Sequence, residues 1–228
     1  MGSQADLQAS VAADYGRLEM ASWPDPHPGM APPRADEYSR VTQPERYGIV
    51  HARAHAWCRA LAAMPGVEAD TLAPAPLDAS GHLGSFDRGI RLTSPRPGAL
   101  ALLLLERDAP LSQEDATLPV LHISVVRPEI SVMMLPDCGC DACDSGSEDL
   151  LRAIDETIIS VIGGTSVVLR GKGWQAHWWP DGARSGGGRQ APSHRQAIEW
   201  CRRLASGQDV RLPRGTEALV GRTWLDEP

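Results

Sequence analysis

Apolar positions recur every three or four residues in some stretches and every second residue in others, and the switches between these spacings mark the elements. Tyr47, Val50, Ala54, Trp57, Cys58 and Leu61 fall on one helical face. Thr42 and Glu45 ahead of them have capping-box spacing, Pro44 sits early, where its missing N–H costs least, and Pro65-Gly66 closes the helix. The period then shortens. IRLTS from Ile90, ALALLLLE from Ala99, LPVLHISVV from Leu118 and EISVMML from Glu129 read as strands, the last two joined by a tight turn at Arg127-Pro128. Leu121, Ile123 and Val125 face one way and His122, Ser124 and Val126 the other, which predicts one well-packed sheet face and one more open face.

A second helix is predicted from about Glu148, with Ser145 at capping distance and an apolar stripe of Leu150, Leu151, Ile154, Ile158, Val161 and Ile162 ending at Gly163-Gly164. SVVLRG and GWQAHWW form a hairpin, PDGARSGGGRQAP reads as a loop, and a third helix runs from Ser193 to Gly207. Before all of these, WPDPHPGMAPPRADEYSRV is too rich in proline for a long helix. The expectation is a Pro-rich N-terminal arm over 1–41, with a short helix near Leu7 to Leu18, followed by one α+β domain over 42–228. The order is roughly α-ββββ-α-ββ-α, giving an α+β fold with a twisted antiparallel sheet and helices packed on one face. It resembles the small α+β folds of secretion chaperones in that order alone.

The 228 residues carry 22 Lys and Arg against 29 Asp and Glu, a formal charge of -7, which argues against a nucleic-acid or anionic-membrane partner. Lys172 is the sole lysine, and the arginine-rich remainder reads as the codon bias of a GC-rich genome. The longest apolar run, ALALLLL, is far short of the ~20 residues a membrane span needs. The first twenty residues lack a basic start and an apolar core, so the chain is expected in the cytoplasm, where thiols stay reduced and clustered cysteines point to metal or redox chemistry.

Three of the five cysteines, Cys138, Cys140 and Cys143, fall within LPDCGCDACDSGSEDLL. Cys140 and Cys143 have the spacing of a zinc knuckle, and Cys138 can reach in from the preceding strand end. A tetrahedral zinc needs a fourth donor, and Cys58, Cys201, His122, Asp144 or a water all remain open. A reduced structural turn and a Cys140–Cys143 redox pair are the competing readings. Asp137, Asp141, Asp144, Glu148 and Asp149 would disfavour thiolates in the absence of a cation. His51, His55 and Cys58 line one side of the first helix, but the Glu of an H-E-x-x-H motif is absent, so they read as polar flanks of the buried stripe. GARSGGGR lacks the G-K-[ST] ending of a phosphate loop, and no G-x-S-x-G elbow occurs.

DEYSRVTQPERYGIVHARA and LPDCGCDACDSGSEDLL, with the GARSGGG loop, resemble an uncharacterised actinobacterial family of cytosolic proteins marked by Y-S-R-V-x-x-P-E-R and C-G-C-D-A-C-D segments. The resemblance implies no activity. The expected function is therefore a soluble binding or regulatory protein for an unidentified protein or small molecule, with a structural zinc at Cys138, Cys140 and Cys143. The alternative is a metal- or thiol-dependent enzyme centred on the same cysteines, with His122 or Asp141 as acid/base.

Overall fold

The computed structural model describes residues 3–30, 32–78, 81, 84–111 and 116–225, so the outermost residues of the expected arm and domain lie outside it. Helix α1 (Gln4–Gly16) begins at a capping box, Ser3 accepting from the Asp6 N–H while the Asp6 carboxylate accepts from the Ser3 N–H. Its Leu7 and Val11 are buried in the main core with α2 (Ile49–Ala62). The expected capping box before α2 is not formed. Pro44–Gly48 is a 3₁₀ turn, Gln43 takes φ 53°, and Thr42 points elsewhere because a distant carboxylate claims both of its donors.

Strands β1 (Glu68–Leu72), β2 (Ala75–Pro76), β3 (Ser85–Phe86), β4 (Arg88–Thr93), β5 (Leu102–Pro110), β6 (Thr117–Val125) and β7 (Ser131–Leu135) follow. A five-stranded antiparallel sheet has the order β1-β4-β5-β6-β7, and β2 pairs with β3. The turn between β6 and β7 lies where Arg127-Pro128 predicted it, with Val126 at φ 62°. Leu102, Leu104, Leu121, Ile123 and Val125 face α2 and α3 (Ser147–Ile162) in the main core. The opposite face is not open: Leu77 and Phe86, from the β2–β3 ribbon, cover Leu103 and Leu105, and His122 and Ser124 beside them are buried.

A second antiparallel sheet is built from β8 (Ser166–Gly171), β9 (Trp174–Trp179), β10 (Gly182–Gly187) and β11 (Glu217–Gly221), in the order β10-β9-β8-β11. The α+β class and the antiparallel pairing hold as expected, with the strands divided among two larger sheets and the β2–β3 ribbon. GARSGG is strand β10, not a loop: hydrogen bonds to β9 override the weak strand propensity of glycine. Strands β1 and β11 also escape the periodicity reading, since EADTL is mostly exposed and EALVG is isolated by polar loops. Helix α4 (His194–Ala205) is capped by Ser193, as its spacing predicts, and packs Ala197, Ile198 and Cys201 on Val167, Leu169 and Ala176. Val168 faces the other way, into the core that α3 lines. Arg127 joins the sheets by donating to Glu217 at 3.0 and 2.7 Å.

Two buried imidazoles give the fold a pH dependence. Burial, reinforced by Arg107, pushes His122 down to about 4, and burial with Arg184 pushes His177 down to about 3. The unfolded chain therefore takes up protons below about pH 6.5 that the folded chain refuses. This contribution is complete above that pH and is lost as pH falls toward the folded values. Urea unfolding should show stability falling between pH 6.5 and 4, by up to about 1.4 kcal/mol per pH unit for each histidine. His122→Leu should flatten that slope, and an unchanged slope would contradict the assignment.

Candidate metal centre

The chain leaves β7 at Leu135 through a cis bond to Pro136 and closes a tight loop. At Gly139 a Cβ would stand 2.4 Å from a Leu118 methyl, so a larger residue there would have to push the Leu118 side chain aside. Asp141–Cys143 then forms a 3₁₀ turn, with the Cys143 N–H donating to the Cys140 carbonyl at 3.0 Å. This turn brings Cys140 and Cys143 to the same side, and Cys138 meets them from the loop. The three sulfurs lie within 4.8 Å of one another, close enough to hold a metal ion. Cys138 Sγ is 3.1 Å from Cys140 Sγ, well beyond the ~2.05 Å of a disulfide. Sulfurs ~2.3 Å from one tetrahedral zinc would stand ~3.8 Å apart, so small side-chain shifts suffice.

The thiols are not equivalent. Burial opposes ionisation of Cys140, but hydrogen bonds from Cys138 and Cys143 and from the backbone of Cys143 and Ala142 outweigh it and lower its pKa. Cys143, which donates to Cys140 and then faces its charge, is pushed up to about 12. One thiolate thus suppresses the next unless a cation is present.

The acidic residues of the turn have another occupation. Asp141 accepts from Arg40 Nε at 2.6 Å and from the Thr42 N–H and hydroxyl at 2.7 Å each, and its own N–H donates to the Arg40 carbonyl at 2.8 Å. Burial would raise its pKa, yet Arg40 and Thr42 hold it below the usual carboxylate range. Asp144, its side chain only 1% exposed, accepts from Trp23 Nε1 at 3.0 Å, from the Gly146 N–H at 2.9 Å and from Arg46. The Arg46 guanidinium also lies 4.6 Å from the centre of the Trp23 ring, and Trp23 meets Tyr47 edge-on. His27 Nε2 stands 3.2 Å from the Asp141 carbonyl. Trp23, His27, Arg40, Thr42 and Arg46 thereby strap the N-terminal segment across the cysteine turn.

Helix α3 starts in the same strap. Ser145 does not cap it: the N-cap is Gly146 at φ 86°, where a Cβ would come 2.7 Å from the Asp25 backbone nitrogen. Ser147 instead exchanges hydrogen bonds with the Trp23 main chain.

Of the donors weighed for a fourth position, Cys58, Cys201, His122 and Asp144 do not join the sulfur cluster among the described residues. Cys201 is buried under α4 and Cys58 lies on α2 near Glu106. His51 and His55 also stay apart from the cysteines, paired with Asp108 and Glu106. Asp141 as an acid/base is corrected as well, since three donors already occupy its carboxylate. A cavity of about 110 Å³ remains beside Cys138 and Cys143, bordered by Asp137, Asp149 and Tyr47, whose buried hydroxyl meets no well-aligned hydrogen-bond partner among the described residues. Trp23, Arg40, Thr42 and Arg46 were not read from the sequence as site residues. The available signal was two distinctive segments of complementary charge, SRVTQPER and CDACD.

A family model described as "Family of unknown function (DUF6226)" matches residues 9–228. The comparisons with curated proteins and with solved structures give no match.

Removing one partner of the Arg46–Asp144 pair leaves a charge that is mostly buried and unpaired, so Asp144→Ala should destabilise the chain by about 3 kcal/mol. The double variant Arg46→Met/Asp144→Leu should recover much of that loss in denaturant unfolding. A loss below about 1 kcal/mol for Asp144→Ala would mean that the strap carries little energy.

Proposed function

The chain belongs to that family of unknown function, and we propose that it is a binding or regulatory domain in which Cys138, Cys140 and Cys143 hold one structural zinc ion. The observation that carries this reading is the occupation of the neighbouring carboxylates. Asp141 and Asp144 serve the N-terminal strap, so among the described residues the three sulfurs are the group gathered within ligand distance of one another, and the strap depends on the turn keeping its shape. Thiolates favour zinc over calcium or magnesium, and a dication relieves the mutual suppression of the three thiols. On this reading the arm over 1–41 wraps one domain over 42–228, which meets an unidentified protein or small molecule in the cytoplasm. The net charge of -7 argues against nucleic acid. No described helix is long and apolar enough to cross a membrane.

A second reading rests on the small cavity. Three protein donors leave a zinc with one open position, and the space beside Cys138 and Cys143, which the Tyr47 side chain borders, could admit a water or small ligand to it. That arrangement would suit a metal-dependent enzyme.

Elemental analysis of the purified chain should find about one zinc per molecule, and Cys140→Ser should abolish it. Cys138 and Cys143 are exposed, so they should resist thiol reagents in the zinc form and react quickly after chelation. Zinc that exchanges readily, beside one fast-reacting thiol, favours the enzyme. Absence of metal together with two freely reactive thiols rules out both readings.

A further inference from the structure

We propose that the cavity between α2 and the β1–β4 edge of the first sheet binds a small organic amine with an apolar body. The cavity encloses about 600 Å³, within the size range of small-molecule sites, and shares no residue with the cysteine turn. Ala54, Cys58, Leu72, Pro74, Ile90 and Leu104 supply apolar wall. Burial and the nearby Glu106 charge push the Cys58 thiol up to about 12, so it serves as wall and not as a nucleophile.

Chemistry is concentrated at the floor. Glu106 lines the cavity with its side chain only 5% exposed. His55 Nε2 stands 2.5 Å from one carboxylate oxygen and Arg88 Nε donates to the other at 2.9 Å. Arg88 donates again to Asp108 at 2.9 Å, so its charge is already shared between two carboxylates. Asp87 also lines the cavity and accepts from the Asp108 N–H. His51, one turn before His55, places Nδ1 4.0 Å from Asp108 and Nε2 2.9 Å from the Val120 carbonyl.

Three carboxylates thus meet one guanidinium and two imidazoles, of which only His55 touches Glu106. Arg88 brings one positive charge to three carboxylates, and a cationic head brings charge that Arg88 alone cannot supply. Each carboxylate oxygen has two acceptor positions and, among the described residues, each oxygen of Glu106 uses one, so capacity is left for a charge-assisted bond from an ammonium group. A carboxylate ligand would meet like charge there, and a neutral ligand would gain only the apolar walls.

The test is calorimetric and NMR titration of the full chain with benzylamine, benzyl alcohol and benzoate. Benzylamine should bind at least about tenfold more tightly than benzyl alcohol, and benzoate more weakly than either. Glu106→Gln should bring benzylamine to the level of the alcohol. Thr71→Trp, on an exposed strand position lining the cavity, should fill the space and weaken the amine at unchanged melting temperature, which decides the matter if Glu106→Gln fails to fold. Equal affinity for amine and alcohol, preference for benzoate, no binding of any probe at millimolar concentration, or unweakened amine binding in folded Thr71→Trp would each overturn the proposal.

Discussion

Two carboxylates, Asp141 and Asp144, are the constraint on which the rest of this structure depends. Each ends in a set of donors contributed by the N-terminal segment, and together they fix where that segment lies. Charge-assisted bonds are stronger than neutral ones, and at Asp144 they are shielded from solvent. Engaging these carboxylates also changes the surroundings of the thiols. Unpaired aspartates would repel a thiolate, and matching Asp141 to Arg40 and Asp144 to Arg46 removes two of those negative charges from the sulfurs' surroundings.

The strap and the cysteine turn are therefore two halves of one object. Gly146 lets the strap backbone approach the start of α3, and Ser147 bonds the Trp23 main chain where an ordinary helix would use a capping hydroxyl. Tyr47 closes the strap and borders the small cavity beside the thiols, just before α2 begins. The same helix carries His55 and Cys58 to the larger cavity. One helix thus links the cysteine turn, near its leading end, to the cavity that Glu106 lines along its side.

What the sequence disclosed was governed by range. The apolar stripe of α3, the β6–β7 turn and the Ser193 cap depend on neighbours a few residues away, and all were legible. The cysteine cluster was legible for the same reason. Thr42 and Ser145 were misread because local spacing suggested caps, while Thr42 answers to a carboxylate 99 residues away and α3 starts from Gly146. Strand β10 was hidden because its partner, not its glycines, makes it a strand. His55 looked like a polar flank until the fold set it against Glu106, 51 positions along the numbering.

Native-state hydrogen exchange in low denaturant, followed across residues 22–47 and 138–147, tests this most directly. If strap and turn form one cooperative unit, the amides of both segments will open with a common free energy. Near-unprotected exchange in the strap while the turn keeps its protection would contradict it.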